Sequence, residues 1–267
     1  MKKIYFNRFP GGKNKAITMS YDDGQIYDRR LVEIFNQYNI KGTFHLSSGK
    51  LDQDVFVRSS EIKELYKGHE ISVHTVNHPN MLNIPKESVI MEILEDKKNL
   101  ENLVGYPVRG MSYPYGLYNE EIVQSISNLG IEYARTISSS FTYNISSNLL
   151  KWEPTCHHRD NLLERAKEFL DFEKESFLPL MYIWGHSFEF ERSNNWKVMK
   201  DFCRLTANRD NIWYATNIEI VDYVHAIKNL KFTVAQDIVY NPSVNSVWIS
   251  VEGKVVEIKS GETKKIV

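Results

Sequence analysis

Residues 15–24 read KAITMSYDDG, a run that begins as a buried strand and ends as something else. Ala16, Ile17, Thr18 and Met19 suit a strand interior, whereas adjacent aspartates repel each other and neither they nor Gly24 favour a pleated backbone. Something at the strand end must offset that repulsion. Gly24 lets the chain turn straight after the pair, so Asp22 and Asp23, which a strand would send to opposite faces, can both reach one site at the strand mouth. A bound cation would remove the repulsion; the plainer alternative is an Asp-Asp-Gly turn capping the next helix.

The strand-then-helix rhythm repeats downstream. GTFHL (42–46) precedes SSEIKELYK, HEISVHT (69–75) precedes PKESVIMEILEDKKNLENLVG, and VRGMSYPYG (108–116) precedes NEEIVQSISNLG. IEYARTI, LLKWEPT, LPLMYIWGH and IWYAT follow as strand candidates, the last three each ahead of a helical pattern. About seven strand–helix units predict an α/β fold, a parallel sheet curled into a distorted, TIM-like (β/α) barrel whose chemistry sits at the carboxyl ends of its strands. Residues 1–229 are assigned to this barrel and 230–267 to a small all-β appendage. KFTVAQDIVY, VNSVWISVEGKVVEIK and TKKIV show no helical period, and Glu252-Gly253 between two alternating runs signals a hairpin.

Bulk composition narrows the function. The 267 residues, 42% hydrophobic and 25% charged, suffice for a large core. Thirty-three basic against thirty-four acidic residues leave a net charge of −1, which provides no global field for nucleic acid or an anionic membrane. No stretch approaches the roughly 20 apolar residues of a membrane span. The first fifteen residues contain no apolar run of signal-peptide length, so a cytoplasmic location is expected for the chain as given. Cys156 and Cys203 read as free thiols.

Three further segments carry candidate chemistry. In SVHTVNHPN, His74 and His78 stand four apart, but Pro79 biases His78 away from helical dihedrals, so a loop or single turn is expected. Two imidazoles and a carboxylate with open positions suit zinc or a related divalent ion. VRGMSYPYGLYN offers Arg109, which could hold a carboxylate ionised, and backbone amides after Pro114 that could face an oxyanion. YIWGHSFEFE places His186 after an apolar strand, with Trp184, Glu189 and Glu191 beside it as a partly acidic pocket or a solvated loop start.

TMSYDDG, HTVNHP, SYPYG and WGH, in this order and at strand ends, resemble the motifs of the polysaccharide deacetylases, the NodB-homology carbohydrate esterases of family 4. The resemblance covers residues 15 to about 228. It implies one divalent metal, usually zinc, with cobalt or nickel as substitutes, and removal of N- or O-acetyl groups from sugars. Carried over by residue, it makes Asp22 the general base, Asp23, His74 and His78 the metal ligands, the Tyr115 amide part of the oxyanion site and His186 the general acid. The chain departs from the pattern in places. Ser112 stands where the family usually carries arginine, with Arg109 three residues earlier, and Ser20-Tyr21 replaces Thr-Phe. WEPTCHHRD (152–160) lies about where a fourth motif belongs, making Trp152, His157 and His158 candidate contacts. Tyr113, Tyr115, Trp152 and Trp184 are candidates to stack on sugar rings; His45, His69 and His225 read as structural or background residues. The expected partner is an acetylated carbohydrate. The alternatives are a small non-sugar amide substrate, or an inactive barrel that only binds carbohydrate.

Overall fold

The computed structural model describes residues 3–173 and 176–266. The first half alternates β1 (Ile4–Tyr5), β2 (Lys15–Asp23), α1 (Asp28–Gln37), β3 (Gly42–Leu46), α2 (Ile62–Leu65), β4 (Glu70–Val73), α3 (Lys86–Val104), β5 (Gly110–Ser112), α4 (Glu120–Asn128) and β6 (Tyr133–Arg135). There follow β7 (Cys156–His157), α5 (Leu162–Asp171), β8 (Leu180–His186), α6 (Ser187–Arg192), α7 (Trp196–Thr206), β9 (Ile212–Tyr214) and α8 (Asn217–Lys228). The tail holds β10 (Lys231–Phe232), β11 (Ile238–Tyr240), β12 (Val247–Val251), β13 (Lys254–Ile258) and β14 (Thr263–Lys265).

Seven parallel strands run in the order β6-β5-β4-β3-β2-β8-β7, with β9 joined to the start of β2. The expected α/β fold with a distorted barrel holds, although the TIM-like barrel is only a half-barrel. The sheet is a curled half-barrel: its end strands are β6 and β7, and β6 is bridged at Arg135 to Trp152, in the segment ahead of β7. Closure fails here for a local reason: no helix follows β6, and LLKWEPT, expected as a strand, forms a 3₁₀ turn at Leu149–Lys151. The strand begins later, at Cys156, and lasts two residues.

The helices cover the sheet with apolar faces at helical spacing. In α1, Leu31, Val32, Ile34 and Phe35 are buried and join Phe44, Ile93, Leu100, Phe169 and Phe202 in one core. A second core lies among Trp152, Tyr182, Ile220, Val239 and Ile249, so the tail packs on the sheet rather than standing apart. The expected hairpin is present, with Val251 opposite Lys254 and both turn residues, Glu252 (φ 50°) and Gly253 (φ 78°), left-handed. Its partner was not foreseen: β1 pairs antiparallel with β12, Ile4 facing Val251. Among the described residues no helix is long and apolar enough to cross a membrane.

Candidate active site

Register brings the site together. Asp22 is level with His45 on β3 and with His186 on β8, so the carboxyl ends of three neighbouring strands share one rim. Asp23 is left-handed (φ 79°), as is Gly24 (φ 70°), where a Cβ would lie 2.7 Å from Leu46. That double turn lets the paired carboxylates diverge to different partners.

Asp23 turns to the histidines. Its Oδ1 lies 3.7 Å from Nε2 of His74 and 3.9 Å from Nε2 of His78. The two imidazoles contact each other edge-on, with centroids 4.6 Å apart. As Pro79 suggests, the His74–His78 segment is not helical: Thr75 (φ 67°) and His78 (φ 57°) are left-handed, and the His78 amide donates to Oγ1 of Thr75 at 3.1 Å. His74 is anchored twice over. Its amide lies 3.0 Å from Oδ2 of buried Asp96, and its Nδ1 is 3.0 Å from the Ser112 carbonyl oxygen. That second contact points Nε2 at Asp23, the arrangement a metal-ligating histidine uses. Burial keeps His74 neutral, lowering it to about 3 although the charge of Asp22 opposes the shift.

Asp22 has a different environment. Oδ2 accepts from Nη2 of Arg135, and Oδ1 accepts from Oγ of Ser112 at 3.1 Å. Burial alone would raise this carboxyl, but the guanidinium of Arg135, helped by His74, His45 and His186, holds it well below the usual carboxylate range. Arg135 is itself fully buried, stacked over Trp184 at 4.4 Å and donating to Ser20 Oγ and the Thr136 carbonyl. The expectation that Arg109 holds a site carboxylate is corrected. Arg109 precedes β5, at the amino end of the sheet, and is tied to Glu132 (2.5 Å) and Asp222 (2.6 Å). Ser112, where the family's arginine would stand, is the register partner of Arg135, so the cation comes from the neighbouring strand. The signal for it was an arginine at the end of the apolar run IEYAR.

His186 closes the rim. Burial would lower it, but the carboxylate of Glu189 beside it and the charges of Asp22 and Asp23 outweigh burial and raise it. Glu189 sits in the first turn of α6, a helix where a solvated loop was the simpler expectation, and is itself buried. His157, His158 and Arg159 surround it, and together with His186 the imidazoles hold it strongly ionised against its burial. Tyr115, left-handed (φ 58°) and exposed, packs edge-on against His78 at 4.5 Å, so the Pro114–Gly116 turn lies beside the histidines. Two of the proposed sugar-stacking residues are withdrawn. Trp152 is fully buried against Tyr133 and Tyr182, and Tyr113 is buried with its hydroxyl donating to the Leu150 carbonyl. His45 backs the site through Ser20 Oγ at 2.8 Å, and His69 is structural, held by the Gly42 amide and Asn36.

The fold and rim define a half-barrel with a mixed carboxylate–imidazole centre at the carboxyl ends of its strands. Residues 10–134 match the family model described as polysaccharide deacetylase. Over 115 residues, 42% of this chain and 24% of the relative, the chain is 26% identical to a peptidoglycan-N-acetylglucosamine deacetylase of Listeria monocytogenes. Over 135 residues, 49% of this chain and 28% of the relative, it is 25% identical to chitin deacetylase 1 of Cryptococcus neoformans. The chain thus spans about a quarter of the length of these two relatives. A solved Mycobacterium smegmatis structure, provisionally assigned as a polysaccharide deacetylase, shares the fold: TM-score 0.63 and 18% identity, over 84% of this chain and 94% of that one.

Proposed function

We propose that this chain is a metal-dependent deacetylase that removes acetyl groups, foremost N-acetyl groups, from a sugar, oligosaccharide or polysaccharide. The observation that carries this reading is the division of labour between the paired aspartates: Asp23 faces two imidazoles, while Asp22 is held ionised by buried Arg135. The relatives named above act on peptidoglycan N-acetylglucosamine and on chitin, both polymers of N-acetylated sugars.

Asp23, His74 and His78 are the residues that would hold the metal. The fit rests on their donor chemistry, one carboxylate oxygen and two ring nitrogens converging within 4.8 Å, with His74 oriented from behind by the Ser112 carbonyl. A divalent zinc-like ion there would polarise the acetyl carbonyl and lower the pKa of water. The chain's own groups do the rest. Asp22, ionised at neutral pH, takes the proton of the attacking water. The amide of Tyr115 contributes a hydrogen bond to the developing oxyanion, an interaction whose loss typically costs about 100- to 1,000-fold in rate. His186, its pKa raised by neighbouring carboxylates, delivers a proton to the departing amine.

Acetate release from a panel of acetylated sugars, chitin and peptidoglycan fragments and small amides tests the reading. Asp22→Asn should retain metal and lose nearly all turnover, whereas His78→Ala should lose the metal. Metal loss in Asp22→Asn, or full metal content in His78→Ala, would overturn these roles; release confined to small amides would move the substrate away from glycans.

A further inference from the structure

A second set of donors converges on a single atom apart from the Asp23, His74 and His78 triad. Oε2 of Glu189 lies 3.0 Å from Nε2 of His158, 3.1 Å from Nε2 of His157 and 3.7 Å from Nδ1 of His186. The donor atoms of His157, His158 and Glu189 all fall within 4.8 Å of one another. Yet Glu189 Oε2, both ring nitrogens of His158 and Nδ1 of His186 are buried without a hydrogen-bond partner. The nitrogens gather around the oxygen at 3.0–3.7 Å, drawn to its charge but poorly aligned for hydrogen bonding, and a cation shared among them would satisfy several buried polar atoms at once.

We propose that His157, His158 and Glu189 form a second divalent-cation site, for zinc or a similar ion, separate from the triad. Imidazole and carboxylate donors suit such ions, and donors that share one tetrahedral ion at roughly 2.0–2.2 Å lie about 3.3–3.6 Å apart. The two shorter nitrogen–oxygen separations, 3.0 and 3.1 Å, and those of the triad, 3.7 and 3.9 Å, all lie within a few tenths of an ångström of that interval. The seat is built. The His158 ring is stacked between Phe190 (4.1 Å) and Tyr21 (5.9 Å), and a Cβ on Gly185 would lie 2.0 Å from its Nδ1, so only glycine leaves room for that ring. Oε1 of Glu189 is held by Nη2 of Arg159 at 3.1 Å, leaving Oε2 for the ion. His158 and Arg159 also line a cavity of about 370 Å³, which gives an ion a route in. Loading gives up one long contact: the Arg159 amide lies 3.2 Å from Nδ1 of His157, and a ligating Nε2 moves the ring proton to Nδ1. The ion would tie the 157–159 loop to the first turn of α6, directly behind His186.

The proposal is independent of the deacetylase reading, and zinc content after dialysis of the full chain against buffered Zn²⁺ tests it. About two ions per chain are expected in the parent and about one in each of His157→Ala, Glu189→Gln and His78→Ala, with the cobalt(II) visible spectra of His157→Ala and Glu189→Gln losing the same component and that of His78→Ala losing the other. His157 is only partly buried and Glu189→Gln preserves volume, so at least one variant should fold, as circular dichroism would show. One ion in the parent that survives His157→Ala and Glu189→Gln and disappears in His78→Ala would overturn the second site. One ion that survives His78→Ala and disappears in His157→Ala would establish the second site and count against the triad instead.

Discussion

Arg135→Met should expose how the buried cation sustains Asp22. The two side chains are 0% and 3% exposed, so solvent screens neither. Methionine keeps much of the aliphatic stem but removes the guanidinium that stacks on Trp184, leaving a carboxylate buried with Ser112 as its remaining hydrogen-bond donor. Breaking one partner of a buried ion pair typically costs about 3–5 kcal/mol. For a chain of this size that is roughly a 10 °C fall in melting temperature. In the double variant Arg135→Met/Asp22→Asn neither charge is stranded, so its cost should fall short of the summed single-variant costs by about 2 kcal/mol or more. The pH dependence has a definite sign. In the parent, Asp22 titrates below its unfolded value, so its contribution is present above about pH 4 and is lost only in acid. In Arg135→Met the largest opposition to burial is gone, the carboxyl should titrate above its unfolded value, and the variant should recover stability as the pH falls from 8 to 5. Calorimetry of the four proteins of the cycle at both pH values provides the test. Melting of Arg135→Met within about 2 °C of the parent, or strict additivity in the cycle, would refute the reasoning.

Asp28 is buried, and burial pushes its carboxyl up to about 7 despite hydrogen bonding from Ser187 and Tyr66. The folded state therefore holds a proton that the unfolded chain releases, so the contribution is complete below about pH 4 and lost as the pH rises through 7. Denaturant titrations should show the parent losing about 3 kcal/mol relative to Asp28→Asn between pH 5 and 8, and parallel curves would contradict this. Asp96→Ala removes the acceptor of the His74 and Ser48 amides without touching a donor atom of the triad, and should weaken metal binding about 10- to 100-fold in chelator competition. Gly185→Ala drives a methyl group into the His158 ring and should cost about 1–3 kcal/mol; an unchanged melting curve would mean that ring moves freely.

What could be read without coordinates was local. The aspartate pair with its glycine and the two histidines four apart needed only spacing and strand ends, and the structure brings them to one rim. Arg135 was invisible as a partner of Asp22 because their proximity depends on the curl that carries the end of β6 over to β2, 113 residues away in sequence. Arg109 lies nearer the Tyr-Pro-Tyr-Gly turn in sequence, but sits at the wrong end of its strand. Trp152 and Tyr113 show the same weakness for aromatics, since proximity to a motif does not determine which way a ring faces. For Glu189 the sequence left a partly acidic pocket and a solvated loop start both open, because six residues without a side-chain cap gave no sign of the helix that turns the carboxylate inward. The barrel failed to close where one unit lacked its helix, and the missing period after IEYARTI was the available clue.

The pairing of β1 with β12 makes assembly depend on time as well as contacts. Ile4 cannot find Val251 until the 247 residues after it have been synthesised, an interval of roughly 12–50 s at about 5–20 residues per second. Through that interval Ile4 and the apolar β12-facing surface of the sheet core lack their final cover. Contacts of such long sequence separation slow folding and favour capture by neighbouring chains. Aggregation of nascent protein, rather than low equilibrium stability, is therefore where substitutions in β1 should be felt first.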